Sequence, residues 1–198
     1  VAVRPFVPGD VGLLLCAEQV GKSVYGVTAP GTLWERPISD GRAARRLADI
    51  TDPNPRSQVA LHFMGSWIQV QEVGGRWGAA AQQWIFSRAD PAYVLRTDRQ
   101  GEIIEDRLYL PAARGCTAVD LKTRQEVSYE VPIGTNAASL REVLGFHATR
   151  DRLWMASSLV VGREGGGGGL QFDVFDLATG AHRETQVLGR IQPGYVHK

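Results

Sequence analysis

Cysteine is scarce in this 198-residue chain: Cys16 and Cys116 stand a hundred residues apart. No Cys-x-x-Cys pair exists, which argues against a thiolate zinc site. Long hydrophobic runs are missing too. The longest, such as Val11–Cys16, fall far short of the ~18 residues that a membrane-spanning helix needs, so no membrane span is expected. Charge of one sign is not in excess, because the formal net charge is +1. No global field therefore draws the chain to nucleic acid or to an anionic membrane. The short basic run Arg42, Arg45 and Arg46 has no interleaved aromatic, so nucleic-acid binding is not expected. Helical periodicity is nearly absent, with Gly41–Asp49 and Ala137–Leu144 as the only short candidates. There is no Gly-x-Ser-x-Gly, and His62, His147, His182 and His197 share no metal-ligand spacing. No catalytic residue, metal site or cofactor is expected from these patterns.

Turn-forming residues are abundant: 23 Gly and 10 Pro are scattered without a period. A hydrophobic fraction of 43% is enough for a globular core and too rich for disorder. Almost everything outside the two helical candidates reads as short strands divided by Gly, Pro and Asp turns. Self-similarity then orders the strands. Asp106-Arg107-Leu108-Tyr109-Leu110 returns as Asp151-Arg152-Leu153-Trp154-Met155, about 45 residues on. Each copy leads to a strand that ends in a similar turn, Asp120-Leu121-Lys122-Thr123-Arg124 and Asp176-Leu177-Ala178-Thr179-Gly180. Weaker copies lie upstream around Tyr25 and Trp67. The aromatic anchors Tyr25, Trp67, Tyr109 and Trp154 are expected to be buried.

The Asp-Leu-x-Thr-Gly turn between two strands resembles the repeats of quinoprotein-like and YVTN-type β-propellers. Asp bonds backbone amides inside such a turn, Thr caps it, and Gly accepts positive φ. The resemblance implies an all-β, β-propeller-like fold of about four blades, each of four antiparallel strands. That is either a closed small propeller or part of a larger one. One domain over 1–198 is expected, with blades near 11–49, 58–97, 102–132 and 142–188. Blade three is the short one, with Glu102–Glu105 left for its innermost strand.

The candidate site follows from loop lengths. Blade two carries Gly74-Gly75-Arg76-Trp77-Gly78 and its alanines between its second and third strands. Blade four carries Gly162–Gly169 at the same connection. In propellers this connection lies on the face that also bears the blade-to-blade links. Trp77 is an aromatic that no strand pattern explains, and Trp and Arg are enriched at binding hot spots. Arg76, Trp77, Arg163 and Glu164 are therefore the expected partner-binding residues. Arg163-x-x-Gly166-x-Gly168 also fits the acyl-coenzyme A loop of GNAT acetyltransferases. That loop needs a following helix, and Leu170–Phe175 alternates as a strand instead.

The functional expectation is a non-catalytic binding or scaffold module for a protein partner or larger assembly. The alternative is a quinoprotein-like oxidoreductase or propeller hydrolase with its site at the channel mouth. The chain opens at Val1 rather than Met, which fits a processed leader or a trimmed piece. Export is favoured on that reading, with Cys16 and Cys116 either paired or free.

Overall fold

The structure is a computed structural model that describes residues 14–29, 31–38, 43–50, 58–73, 82–90, 92–132, 140–160 and 168–191. Among these residues every regular element is a strand. Sheet one holds β1 (Leu14–Val20), β2 (Ser23–Thr28), β3 (Thr32–Pro37) and β4 (Arg45–Asp49). Sheet two holds β5 (Gln58–Met64), β6 (Trp67–Val73), β7 (Gln83–Ser87) and β8 (Val94–Thr97). Sheet three holds β9 (Glu102–Ile104), β10 (Arg107–Ala112), β11 (Gly115–Asp120) and β12 (Glu126–Glu130). Sheet four holds β13 (Leu140–Ala148), β14 (Arg152–Val160), β15 (Gly168–Asp176) and β16 (His182–Ile191). Each sheet is an antiparallel meander whose strands pair in chain order. Four such sheets make the protein all-β and propeller-like, as the repeats imply.

The turns explain where the strands stop. In sheet three Asp120 Oδ1 accepts from the amides of Lys122 at 3.0 Å and Thr123 at 2.8 Å. In sheet four Asp176 Oδ1 accepts from Ala178 at 3.1 Å and Thr179 at 2.9 Å. The fifth turn position is left-handed in both, with φ of 61° at Arg124 and 74° at Gly180. Glycine suits it better, since a Cβ at Gly180 would stand 2.4 Å from the Ser128 carbonyl oxygen.

The chain divides into two compact units, Val1–Gln100 and Gly101–Lys198, each with two of the sheets. In the first, Tyr25, Val27 and Leu33 of sheet one pack against Leu61, Ile68 and Phe86 of sheet two. In the second, Tyr109 and Tyr129 of sheet three pack with Leu153, Met155 and Phe175 of sheet four. Tyr129 meets Phe175 edge-on at 5.6 Å. Burying a large apolar side chain of this kind stabilises by ~1.5–3 kcal/mol relative to leaving it in water, so these two layers carry the fold. The first strands approach one another within each unit, β1 with β5 and β9 with β13.

Three local expectations are corrected. The segment 45–49 is strand β4, paired to β3, and 140–148 is strand β13, paired to β14. Helices this short are marginal alone, and pairing with a neighbouring strand satisfies the same backbone groups. Trp154 is half-exposed, whereas Tyr25, Trp67 and Tyr109 are buried. On β14 the inward alternation falls instead on Leu153, Met155 and Ser157. His182 opens β16 and is largely covered. Its Nε2 lies 3.4 Å from Asp173 Oδ1 and 3.1 Å from Thr185 Oγ1. Asp173 is fully buried, and its carboxylate is satisfied by Thr185 Oγ1 at 2.6 Å and Gln171 Nε2 at 2.9 and 2.8 Å.

Candidate functional site

Sheet register builds one cleft inside the first unit. Tyr25 on β2 stands opposite Glu35 on β3, and Glu35 stands opposite Arg45 on β4. Cross-strand partners share a face, so the three side chains form a row across sheet one. The Tyr25 hydroxyl donates to Glu35 Oε1 at 3.0 Å, and Ser23 Oγ donates to the same oxygen at 3.1 Å. Arg45 donates to the other carboxylate oxygen at 2.5 Å. Sheet two supplies the facing wall through Ile68 and Phe86, with Arg88 at the rim. The Arg88 guanidinium lies 5.9 Å from the Tyr25 ring centroid and donates to the Gly65 carbonyl at 3.2 Å. Between these walls lies a cavity of about 350 Å³.

The electrostatics follow from those contacts. Partial burial pushes the Glu35 carboxyl up. Hydrogen bonds from Arg45, Tyr25 and Ser23 outweigh it and hold the group below the ordinary carboxylate range. Burial, and then the bond to Glu35, push the Tyr25 phenol up, with Arg88 opposing. Glu35 is thus a fixed carboxylate that orients Arg45, and Tyr25 is a neutral donor. Such a set is chemically able to hydrogen-bond a charged group.

Arg76, Trp77, Arg163 and Glu164 all lie outside the described residues. The strands on either side of their segments are described. Residues 74–81 follow β6, and 161–167 link β14 to β15. The corresponding connections in sheets one and three are only 29–31 and 113–114. Gly65 and Ser66 precede β6 while 74–81 follow it, so the cleft and the blade-two insertion belong to opposite ends of that strand. Ile68 lines the cleft, so the five residues 69–73, roughly 17 Å of strand, lie between the cleft and the end of β6.

The sequence reading missed the cleft. Tyr25 was legible as an anchor and Arg45 as part of a basic run, but Glu35 drew no notice. The signal that finds it is hairpin register: residues 25 and 35 flank the 28–32 turn symmetrically. Elsewhere, His62 on β5 is half-buried and His147 on β13 is exposed. Among the described residues no three His, Cys, Asp or Glu side chains come together as metal ligands. Both cysteines are free thiols, and burial pushes Cys116 up to about 12.

No protein-family model matches the chain, and neither does any curated protein. Solved structures do resemble it. The N-terminal domain of Nup159, a β-propeller, superposes with a TM-score of 0.51 at 8% identity, over 89% of this chain and 48% of that one. A structure of S. cerevisiae Dbp5 bound to Nup159, Gle1, IP6 and ADP gives 0.50 at 8%, over 91% of this chain and 50% of its match. The computationally designed protein Ika8 gives 0.49 at 11%, over 87% and 48%. The chain spans about half the length of the solved chains it matches. At these identities the likeness defines one thing, the propeller-like fold.

Proposed function

We propose that the protein is a non-catalytic binding or scaffold module that recognises a protein partner or larger assembly through its inserted loops. The observation that carries this reading is the shared position of the two insertions. Segments 74–81 and 161–167 occupy the second-to-third-strand connection of sheets two and four, where sheets one and three turn tightly. Binding residues carried on loops that a sheet scaffold positions are a common arrangement in binding proteins. A related fold is used for binding in Nup159, which is held in a complex with Dbp5 and Gle1. Trp77 offers apolar area with few rotatable bonds, Arg76 and Arg163 offer planar charged donors, and Glu164 adds an acceptor.

Photo-crosslinking in native extract tests this. A crosslinking residue at position 77 or 163 should capture the same partner, and one at position 183 on β16 should not. Trp77→Ala combined with Arg163→Ala should then weaken that partner's binding at least tenfold, about 1.4 kcal/mol, without altering the melting temperature. Capture from position 183 alone would move the interface to the sheet edges. We propose as well that the two units make one domain. Scanning calorimetry should then give a single transition, and two separated transitions would divide the chain at residue 100.

A further inference from the structure

We infer that the cleft between sheets one and two is a second binding site, and that it takes an apolar carboxylate. The ligand has a compact hydrophobic body ending in one carboxylate, carried by a small molecule or by the last residue of a peptide. This goes beyond loop-mediated partner recognition, because the cleft lies at the other end of β6 from the insertion.

Size, floor and rim each select the ligand. A cavity of about 350 Å³ sits at the low end of the ~300–1,000 Å³ that small-molecule sites occupy. Ile68, Phe86 and the Tyr25 ring are buried beneath the cleft, and its reachable apolar lining comes from Leu47, Ala48 and Ala89. That lining takes a short aliphatic body, with the Ser66 and Ser87 side chains beside it. The rim carries Arg45 and Arg88, both exposed. A guanidinium has five N–H donors in a planar fork, and the bonds to Glu35 and to the Gly65 carbonyl use only part of these two sets.

Charge sets the anion's valence. Among the described residues, the ionisable acid and bases that line the cleft are Glu35, Arg45 and Arg88, which leave one net positive charge. A monoanionic carboxylate balances that. A phosphate dianion overshoots it and stands beside the Glu35 carboxylate, which its three donors keep ionised. A cation meets two guanidiniums. Arg88 is the direct anchor, whereas Tyr25 and Glu35 are positioning residues that hold Arg45 across the row.

The test titrates the intact protein with four probes and follows amide and methyl resonances in NMR. The probes are 4-methylpentanoate, 4-methylpentanamide, N-acetyl-alanyl-leucine with a free carboxylate, and the C-terminal amide of that dipeptide. At least one carboxylate should saturate shifts at Ile68 and Arg88 with a Kd on the order of 1 mM or tighter. Its amide should bind at least tenfold more weakly. Whichever carboxylate binds more tightly identifies the source as small molecule or peptide end. Arg88→Gln should lose at least tenfold in affinity, and Arg88→Lys should lose less, with the melting temperature of both within a degree or two of the parent. Arg36→Gln, outside the cleft, should bind like the parent. The inference is overturned if amide and carboxylate bind equally, if no probe shifts Ile68 at millimolar concentration, or if folded Arg88→Gln binds as the parent does.

Discussion

The Tyr129 hydroxyl on β12 donates to the Leu177 carbonyl at 2.8 Å, in the turn between β15 and β16. This bond ties the outermost strand of sheet three to the Asp176 turn of sheet four, across 48 residues of sequence. Arg107 reaches the same carbonyl at 3.3 Å. Tyr129→Phe keeps the ring contacts and deletes only the hydroxyl, so it should cost about 1 kcal/mol in urea unfolding. An unchanged midpoint would mean that Arg107 alone satisfies the carbonyl.

Alkaline pH should loosen the second unit. Burial, with Tyr109 nearby adding to it, raises the Tyr129 phenol from 10.0 to about 12, and burial raises the Cys116 thiol from 9.0 to about 12. In both cases the unfolded chain gives up its proton first. The contribution is therefore complete below the unfolded pKa and is lost as pH rises toward 12. Unfolding midpoints should fall between pH 9 and 12, and the fall should flatten in the double variant Tyr129→Phe and Cys116→Ala. A parent protein with constant stability over that window would refute the assignment.

Gly180→Ala should destabilise by at least ~1–2 kcal/mol, because φ of 74° is left-handed and the new Cβ meets the Ser128 carbonyl oxygen at 2.4 Å. Gly65→Ala has positive φ without a neighbour within 4 Å, so it should cost less. Equal losses would show that backbone conformation, not the close approach, dominates at position 180.

The tryptophans should separate by burial. Trp84 is 1% exposed on β7, and Trp84→Ala should cost ~3–5 kcal/mol through lost transfer energy and an unfilled cavity. Trp154 is half-exposed, and Trp154→Ala should cost less than ~2 kcal/mol. Thermal denaturation of the two variants side by side decides it; the reverse order would place the anchor of sheet four at Trp154 after all.

Sheet boundaries were legible because the cues are local. Asp120 and Asp176 each carry their turn within five residues, and the 106–110 and 151–155 copies announce equivalent strands. Strands β4 and β13 were legible from the four-strand blades over 11–49 and 142–188, not from their own local pattern, which reads as weakly helical. Their backbone partners are supplied by β3 and β14, and nothing within 41–49 or 137–144 signals that pairing. Trp154 misled for a related reason: equivalent sequence placed it with Tyr109, but which neighbours cover it depends on the packing of sheet four. The cleft is the extreme case. Its chemistry arises from a register that aligns Tyr25, Glu35 and Arg45, and from a second sheet that brings Arg88 over the first.

Among the described residues, every paired strand finds its partner next to it in the chain. The consequence is kinetic. A strand's partner follows within a short hairpin, so loop-closure entropy is small at each step, in contrast to β-sandwiches whose strands pair across long separations. Each sheet is able to form soon after its last strand leaves the ribosome, before the next one is made. A nascent first sheet still exposes Tyr25, Val27 and Leu33 until β6 and β7 arrive to cover them. That interval is when aggregation threatens, and it closes with the synthesis of about forty further residues, from the end of β4 to the end of β7.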